Sequence, residues 1–171
     1  MVILGLDLSL SSTGFNIIDG DENIIKCDLI ETNSKKNTEQ ERIHIIAAKV
    51  RELIRDYKVD VVVAENQFFG GNAKTGLTLS KLLGAVMYVS IEEGKEVQLL
   101  TPSQCRKILL GDGKSTKEDV AQYIRENYID LGVYSNKKVK TKGIEKNSDL
   151  YDSLCVSLAW LKRYKLNEKY K

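Results

Sequence analysis

Two apolar runs in this chain end on a carboxylate, and no other feature restricts the fold as much. Val2–Leu6 leads into Asp7, and Val59–Ala64 leads into Glu65. Runs that are nearly continuous rather than alternating read as strands covered on both faces. Such strands need helices above and below a sheet. An ionised carboxylate is costly to bury without a partner, so a strand that runs apolar into an acid supplies that acid to a cation or a site. Open α/β sheets place ligands at the carboxyl ends of parallel strands, so two such strands side by side would aim both acids into one crevice.

The rest of the chain supplies the layers. Ser9–Gly14 reads as a turn, and Phe15–Ile18 and Asn23–Glu31 as two strands joined at Asp19-Gly20-Asp21. A helix is predicted from about Glu39 to Tyr57, with Ile43, Ile46, Ala47, Val50, Leu53, Ile54 and Tyr57 on one stripe. A second long helix, about 75–93, is apolar on more than one side through Leu77, Leu79, Leu82, Leu83, Val86, Met87, Val89 and Ile91. Its own sheet can cover only part of that surface, which leaves room for a second subunit. Glu96–Leu100 reads as a further strand. Thr101-Pro102-Ser103-Gln104 opens a short helix ending near Gly111, Ser115–Glu126 forms another, and Asp149–Tyr164 is the last. The order is βββαβαβααα, an α/β mixed five-stranded sheet flanked by helices. A chain of 171 residues makes one domain of it, with a single linker-like basic loop at about 132–147.

Composition removes several kinds of chemistry. His44 is the only histidine and lies in a helical pattern, which argues a surface or boundary role and against histidine-based catalysis. Cys27, Cys105 and Cys155 form no CxxC pair, and the N-terminus has no basic start or long apolar stretch of a secretion signal. Reduced thiols in a cytoplasmic protein are expected, without zinc. No run approaches the roughly 20 apolar residues of a membrane span. Gly111-Asp112-Gly113-Lys114-Ser115-Thr116 imitates a phosphate-binding loop, but position 108, where that motif needs its first glycine, is Ile. Ser115-Thr116-Lys117-Glu118 reads better as a capping box, so no nucleotide cofactor is expected.

The third acidic element is Ser148-Asp149-Leu150-Tyr151-Asp152. Acids at i and i+3 share one helix face. On their own they could merely favour the helix dipole behind a Ser148 cap. Together with the strand acids they make a set of four that would repel one another unless a divalent cation compensated them. All-oxygen donors favour Mg²⁺, with Mn²⁺ as a substitute. Two such ions roughly 3.5–4 Å apart can activate water and stabilise the leaving oxygen of a phosphodiester. Hydrolysis at phosphorus is the reaction this set suits, with Asp7, Glu65, Asp149 and Asp152 as metal ligands.

Asp7 in a first strand, the Ser-Thr-Gly turn, Glu65 within Ala-Glu-Asn-Gln-Phe-Phe, and a terminal Asp-x-x-Asp-Ser-Leu occur in the order in which they occur in the RuvC family of Holliday-junction resolvases, which the chain resembles over about residues 2–160. The resemblance implies a ribonuclease-H-like fold, a homodimer through the helix at about 75–93, Mg²⁺, and cleavage of four-way DNA junctions. It also implies a catalytic role for Lys117, a DNA contact for Arg106 or Lys107, and a base-stacking role for Phe68. Each has a plainer reading: Lys117 as a solvated first-turn residue, Phe68 as a strand-end side chain in the core. Asp7 is followed by Leu8-Ser9-Leu10-Ser11-Ser12 rather than Pro-Gly, which looks like the phage branch.

A net charge of +2 gives no global attraction to DNA, so binding must depend on local clusters. Lys137, Lys138, Lys140, Lys142 and Lys146 precede Asp149 directly, and cations beside a metal site suit a polyanion. Beside an actin-like or sugar-kinase-type ATPase holding phosphate on Asp7–Gly14, which needs two such domains where this chain has room for one, two other functions fit parts of the pattern: a nuclease for flaps or RNA, and a non-catalytic DNA-binding dimer. The complete set of acids speaks against the second.

Overall fold

The computed structural model describes residues 1–66, 73–132 and 147–169. Five strands form one sheet: β1 (Val2–Asp7), β2 (Ser12–Asp19), β3 (Ile24–Glu31), β4 (Val61–Glu65) and β5 (Val97–Leu100), in the order β3-β2-β1-β4-β5. The first three are antiparallel neighbours, whereas β4 runs parallel to β1 and β5 parallel to β4. The helices are α1 (Glu39–Asp56), α2 (Ala73–Glu92), α3 (Pro102–Leu110), α4 (Lys117–Asn127) and α5 (Ser148–Lys169). The mixed sheet and the element order agree with the sequence reading.

Alternation along the strands sorts the core into two layers. Leu4, Leu6, Ile17, Val62 and Ala64 pack under α1 and α2, against Ile46, Val50, Leu53, Leu82 and Val86. Ile3, Ile18, Val63 and Leu100 pack under α3, α4 and α5. Every residue of α5 from Ser148 to Leu161 except Leu150 is buried, because the sheet covers one side and α3 and α4 another.

The ends of elements differ from expectation where local chemistry competes with pairing. Ser12-Thr13-Gly14 has turn composition, yet it is strand: all three residues pair with β3, and Gly14 also stands opposite Asp7 of β1. The helix predicted from Ser115 starts two residues later: Thr116 is the cap and its reciprocal partner is Asp119 rather than Glu118. Ser148 does not cap α5. It is the first helical residue and donates its hydroxyl to Asp149 Oδ1 at 3.0 Å, while the Asn147 carbonyl accepts from Leu150 and Tyr151. The predicted ends at 75 and 164 fall inside α2 and α5. Gly111 closes α3 in the left-handed region at φ 82°, which accounts for one glycine of the imitation phosphate loop.

Two glycines let α5 lie close to the sheet. A Cβ on Gly5 would fall 2.7 Å from the Ser157 Cβ, and one on Gly14 would fall 1.9 Å from the Asp149 carbonyl oxygen. Ser157 also donates to Asn16 Oδ1 at 2.7 Å. This close approach brings the first turns of α5 to the carboxyl end of β1.

Candidate active site

β1 and β4 deliver two acids to one place. Leu6 stands opposite Ala64 in the parallel register, so Asp7 and Glu65 close neighbouring strands at the same end. By alternation both share the parity of Ile3 and Val63, whose side chains meet α5. From α5 come Asp149 and Asp152, one turn apart and both buried. Asp7, Asp149, Asp152 and Lys117 line a groove of about 700 Å³. Glu65 borders an adjoining apolar cavity of about 180 Å³ with Leu8, Leu79, Leu83 and Met87.

The electrostatics tie the four acids together. Burial, and then the charges of Asp152, Glu65 and Asp149, hold the Asp7 carboxyl well above the usual carboxylate range, with Lys117 opposing. Burial and Asp152 push Glu65 up, against Lys117 and Arg106. Burial raises Asp152 too, although Lys117 and Arg106 pull it down. Lys117 is ion-paired with Asp152, its ammonium half exposed on the groove. As they stand, no three His, Cys, Asp or Glu side chains among the described residues are arranged to grip an ion. The acids share one field, and Lys117 supplies the compensating charge within it. In charge and donor type the set fits a hard divalent cation.

The other predicted residues divide. Arg106 belongs to the site, since its charge acts on Glu65 and Asp152 while its Nη1 donates to the Ser115 carbonyl at 3.1 Å. Lys107 is exposed in the last turn of α3 and does not line the groove. Phe68, Lys137, Lys138, Lys140, Lys142 and Lys146 lie outside the described residues. His44 is exposed, in keeping with a surface role. Among the groove residues that the sequence reading passed over is a buried arginine. Arg42 sits at the start of the α1 stripe, four residues before Ile46, and is buried. A charged residue on an apolar stripe was the available signal.

Residues 3–141 match the family described as "Crossover junction endodeoxyribonuclease RuvC". The chain belongs to that family. The RuvC of Alkaliphilus metalliredigens is 32% identical over 128 residues, covering 73% of this chain and 77% of that protein. The RuvC of Dictyoglomus turgidum is 27% identical over 164 residues, 94% of this chain and 96% of its own, so that alignment runs past the family match. Among solved structures, Thermus thermophilus RuvC in complex with Holliday junction substrate superposes with a TM-score of 0.77 at 22% identity, over 97% of this chain and 96% of the other. The RuvC fold expected from the motifs is therefore the fold observed. RuvC-family membership carries with it the use of a divalent metal ion.

Proposed function

We propose that this RuvC-family chain is an endonuclease that resolves four-way DNA junctions by hydrolysing phosphodiester bonds in the groove beside Asp7. One observation carries the reading. Buried carboxylates from β1 and α5, with Lys117 among them, open on a single groove at the carboxyl ends of parallel strands, in a chain whose relatives are named crossover junction endodeoxyribonucleases. The Thermus thermophilus protein of the same fold is seen with a Holliday junction.

Asp7, Glu65, Asp149 and Asp152 are the residues that would hold the metal, Mg²⁺ or in its place Mn²⁺, as two ions. Oxygen-only donors suit such hard cations. When bound, they lower the pKa of a water nucleophile and stabilise the departing oxygen. The chain's own groups do the rest. Lys117 leaves Asp152 and turns to the scissile phosphate, where its ammonium offsets charge that grows in the transition state. Arg106, with Lys117, opposes the rise that burial imposes on the Glu65 and Asp152 carboxyls. Phe68 stacks on a base near the branch point. Lys107, Lys137, Lys138, Lys140 and Lys142 contact the backbone, each adding affinity through counterion release. Two copies pair through α2, whose Leu77, Tyr88 and Ile91 are exposed. No helix among the described residues is long and apolar enough to cross a membrane, and we place the protein in the cytoplasm of a bacterial cell or a phage-infected host.

The test uses labelled four-way, three-way, flapped and linear DNA with Mg²⁺. The wild type should cut the four-way junction at matched positions on opposing strands. Asp7→Asn and Glu65→Gln should abolish cutting while junction binding survives. Cutting of flaps with no preference for the four-way junction would replace the junction reading. Equal loss of binding and cutting in both variants would remove the metal-ligand assignment.

A further inference from the structure

The groove continues past the acids to Arg42, Lys74, Ser9, Ser11 and Thr75. Arg42 is only 9% exposed. Its Nε donates to Thr32 Oγ1 at 2.7 Å and its Nη2 to Ser11 Oγ at 2.9 Å. Both acceptors are neutral. Among the described residues no carboxylate pairs with it. Glu39 also lines the groove, but it takes the Lys81 ammonium at 2.7 Å and the Thr78 hydroxyl at 3.0 Å.

A guanidinium stays charged at any accessible pH, and keeping it buried without a counter-charge is costly. Neutral hydroxyls satisfy part of its hydrogen bonding and none of its charge. The anion that would do so must come from the groove. The first turn of α2 borders the same space through Lys74 and Thr75, and the start of a long helix favours negative charge.

We propose that Arg42 anchors a second phosphate site in the groove, which takes a backbone phosphate of the cleaved DNA strand adjacent to the one that is cut. The planar guanidinium fork suits two phosphate oxygens, and Ser11, in the turn between β1 and β2, and Thr32, directly after β3, hold it in place. Thr32 in turn donates to the Leu10 carbonyl and, through its N–H, to Ser11 O at 3.1 Å. A phosphate on Arg42 therefore also steadies residues 8–11, which follow Asp7 directly. This rests on the nuclease reading of the groove.

The experiment measures junction binding against salt, with cleavage and thermal unfolding followed in parallel. Arg42→Gln should weaken binding several-fold and lower the slope of log affinity against log salt by about one, as loss of one phosphate contact does. Junctions carrying single methylphosphonates near the cut should show one non-scissile position whose neutralisation weakens the wild type several-fold and Arg42→Gln no further. Excess inorganic phosphate should not reproduce that position dependence. Arg42→Lys keeps the charge and should keep the slope; if Arg42→Gln fails to fold, Arg42→Lys replaces it in the scan and should show the same coupled position at reduced size. An unchanged slope, with every methylphosphonate affecting both proteins alike, would overturn the site and leave Arg42 as a clamp for residues 8–11. Junction cutting by the wild type would then still stand, so the two failures are separable.

Discussion

Gly14 and Asp149 meet backbone to backbone, the glycine of β2 lying directly beneath the first turn of α5. The atoms in the way of a Cβ are the Asp149 carbonyl oxygen and carbon, at 1.9 and 2.5 Å, so no side-chain rotation can make room. Gly14→Ala should lift the start of α5 and carry Asp149 away from Asp7. The expected cost is about 1–3 kcal/mol, the range of an overpacked core, read as a lower urea midpoint. Junction cleavage should fall even under conditions where the variant remains folded. Gly20→Ala, whose Cβ would meet nothing nearer than 3.7 Å, is the control. Equal effects of the two substitutions would count against the close approach as the cause.

Asp7 makes stability fall as pH rises. Its folded pKa lies above the ordinary 3.8, so the protonated form favours the fold. That contribution is complete below the unfolded value and is lost as pH rises through the folded one. In EDTA at neutral pH, Asp7→Asn should therefore be more stable than the wild type. The gap should close in acid. Added Mg²⁺ should stabilise the wild type far more than the variant, because ligand bound only to the folded state adds to its stability. Melting temperatures across pH, with and without Mg²⁺, decide it; a less stable variant at neutral pH in EDTA would be the wrong sign.

Glu22 behaves in the opposite way. It follows the β2–β3 turn at φ 71° and accepts the Tyr128 hydroxyl and the Lys165 ammonium, each at 2.9 Å. Burial alone would raise its pKa, but these two donors outweigh burial and leave it below the ordinary 4.5. Its stabilisation is therefore present above the unfolded value and is lost as pH falls through the folded one. Glu22→Gln should cost a fraction of about 1 kcal/mol at neutral pH, since the pair is partly exposed and screened. The difference from wild type should vanish on acidification, and high salt should shrink it. A constant offset from neutral pH into acid would point to packing instead of charge.

The strand acids were legible because burial and ionisation conflict: an apolar run closing on Asp7 or Glu65 has few explanations. The α1 stripe and the Thr101 helix start were legible for the same local reasons. What escaped the sequence depends on tertiary approach. Ser12–Gly14 has the composition of a turn, and only its pairing with β3, and of Gly14 with β1, makes it strand. Nothing local says that Gly5 and Gly14 are contact points for a helix more than a hundred residues later. Lys117 could be read only as a first-turn lysine or through resemblance, because its partner Asp152 is on another helix. Arg42 was hidden by its neighbours, a single charge at the head of an otherwise regular apolar stripe.

The face of α2 turned away from the sheet yields the remaining prediction. Leu82, Val86 and Val89 are buried against the sheet, while Leu77, Tyr88 and Ile91 are 60%, 64% and 61% exposed. Between them Leu79, Leu83 and Met87 line the cavity that reaches Glu65. Contiguous apolar surface of this kind marks an interaction site, and a second α2 placed on it would cover the cavity and keep water from one side of Glu65. Leu83→Asp puts a charge in the middle of that contact, at a half-buried side chain on the rim of the inner core. It should convert dimers to monomers by light scattering while circular dichroism stays unchanged. If two sites on one dimer cut opposing strands, the monomer should nick single strands slowly and no longer release paired cuts. A variant that remains dimeric and still makes paired cuts would show that α2 is covered in some other way.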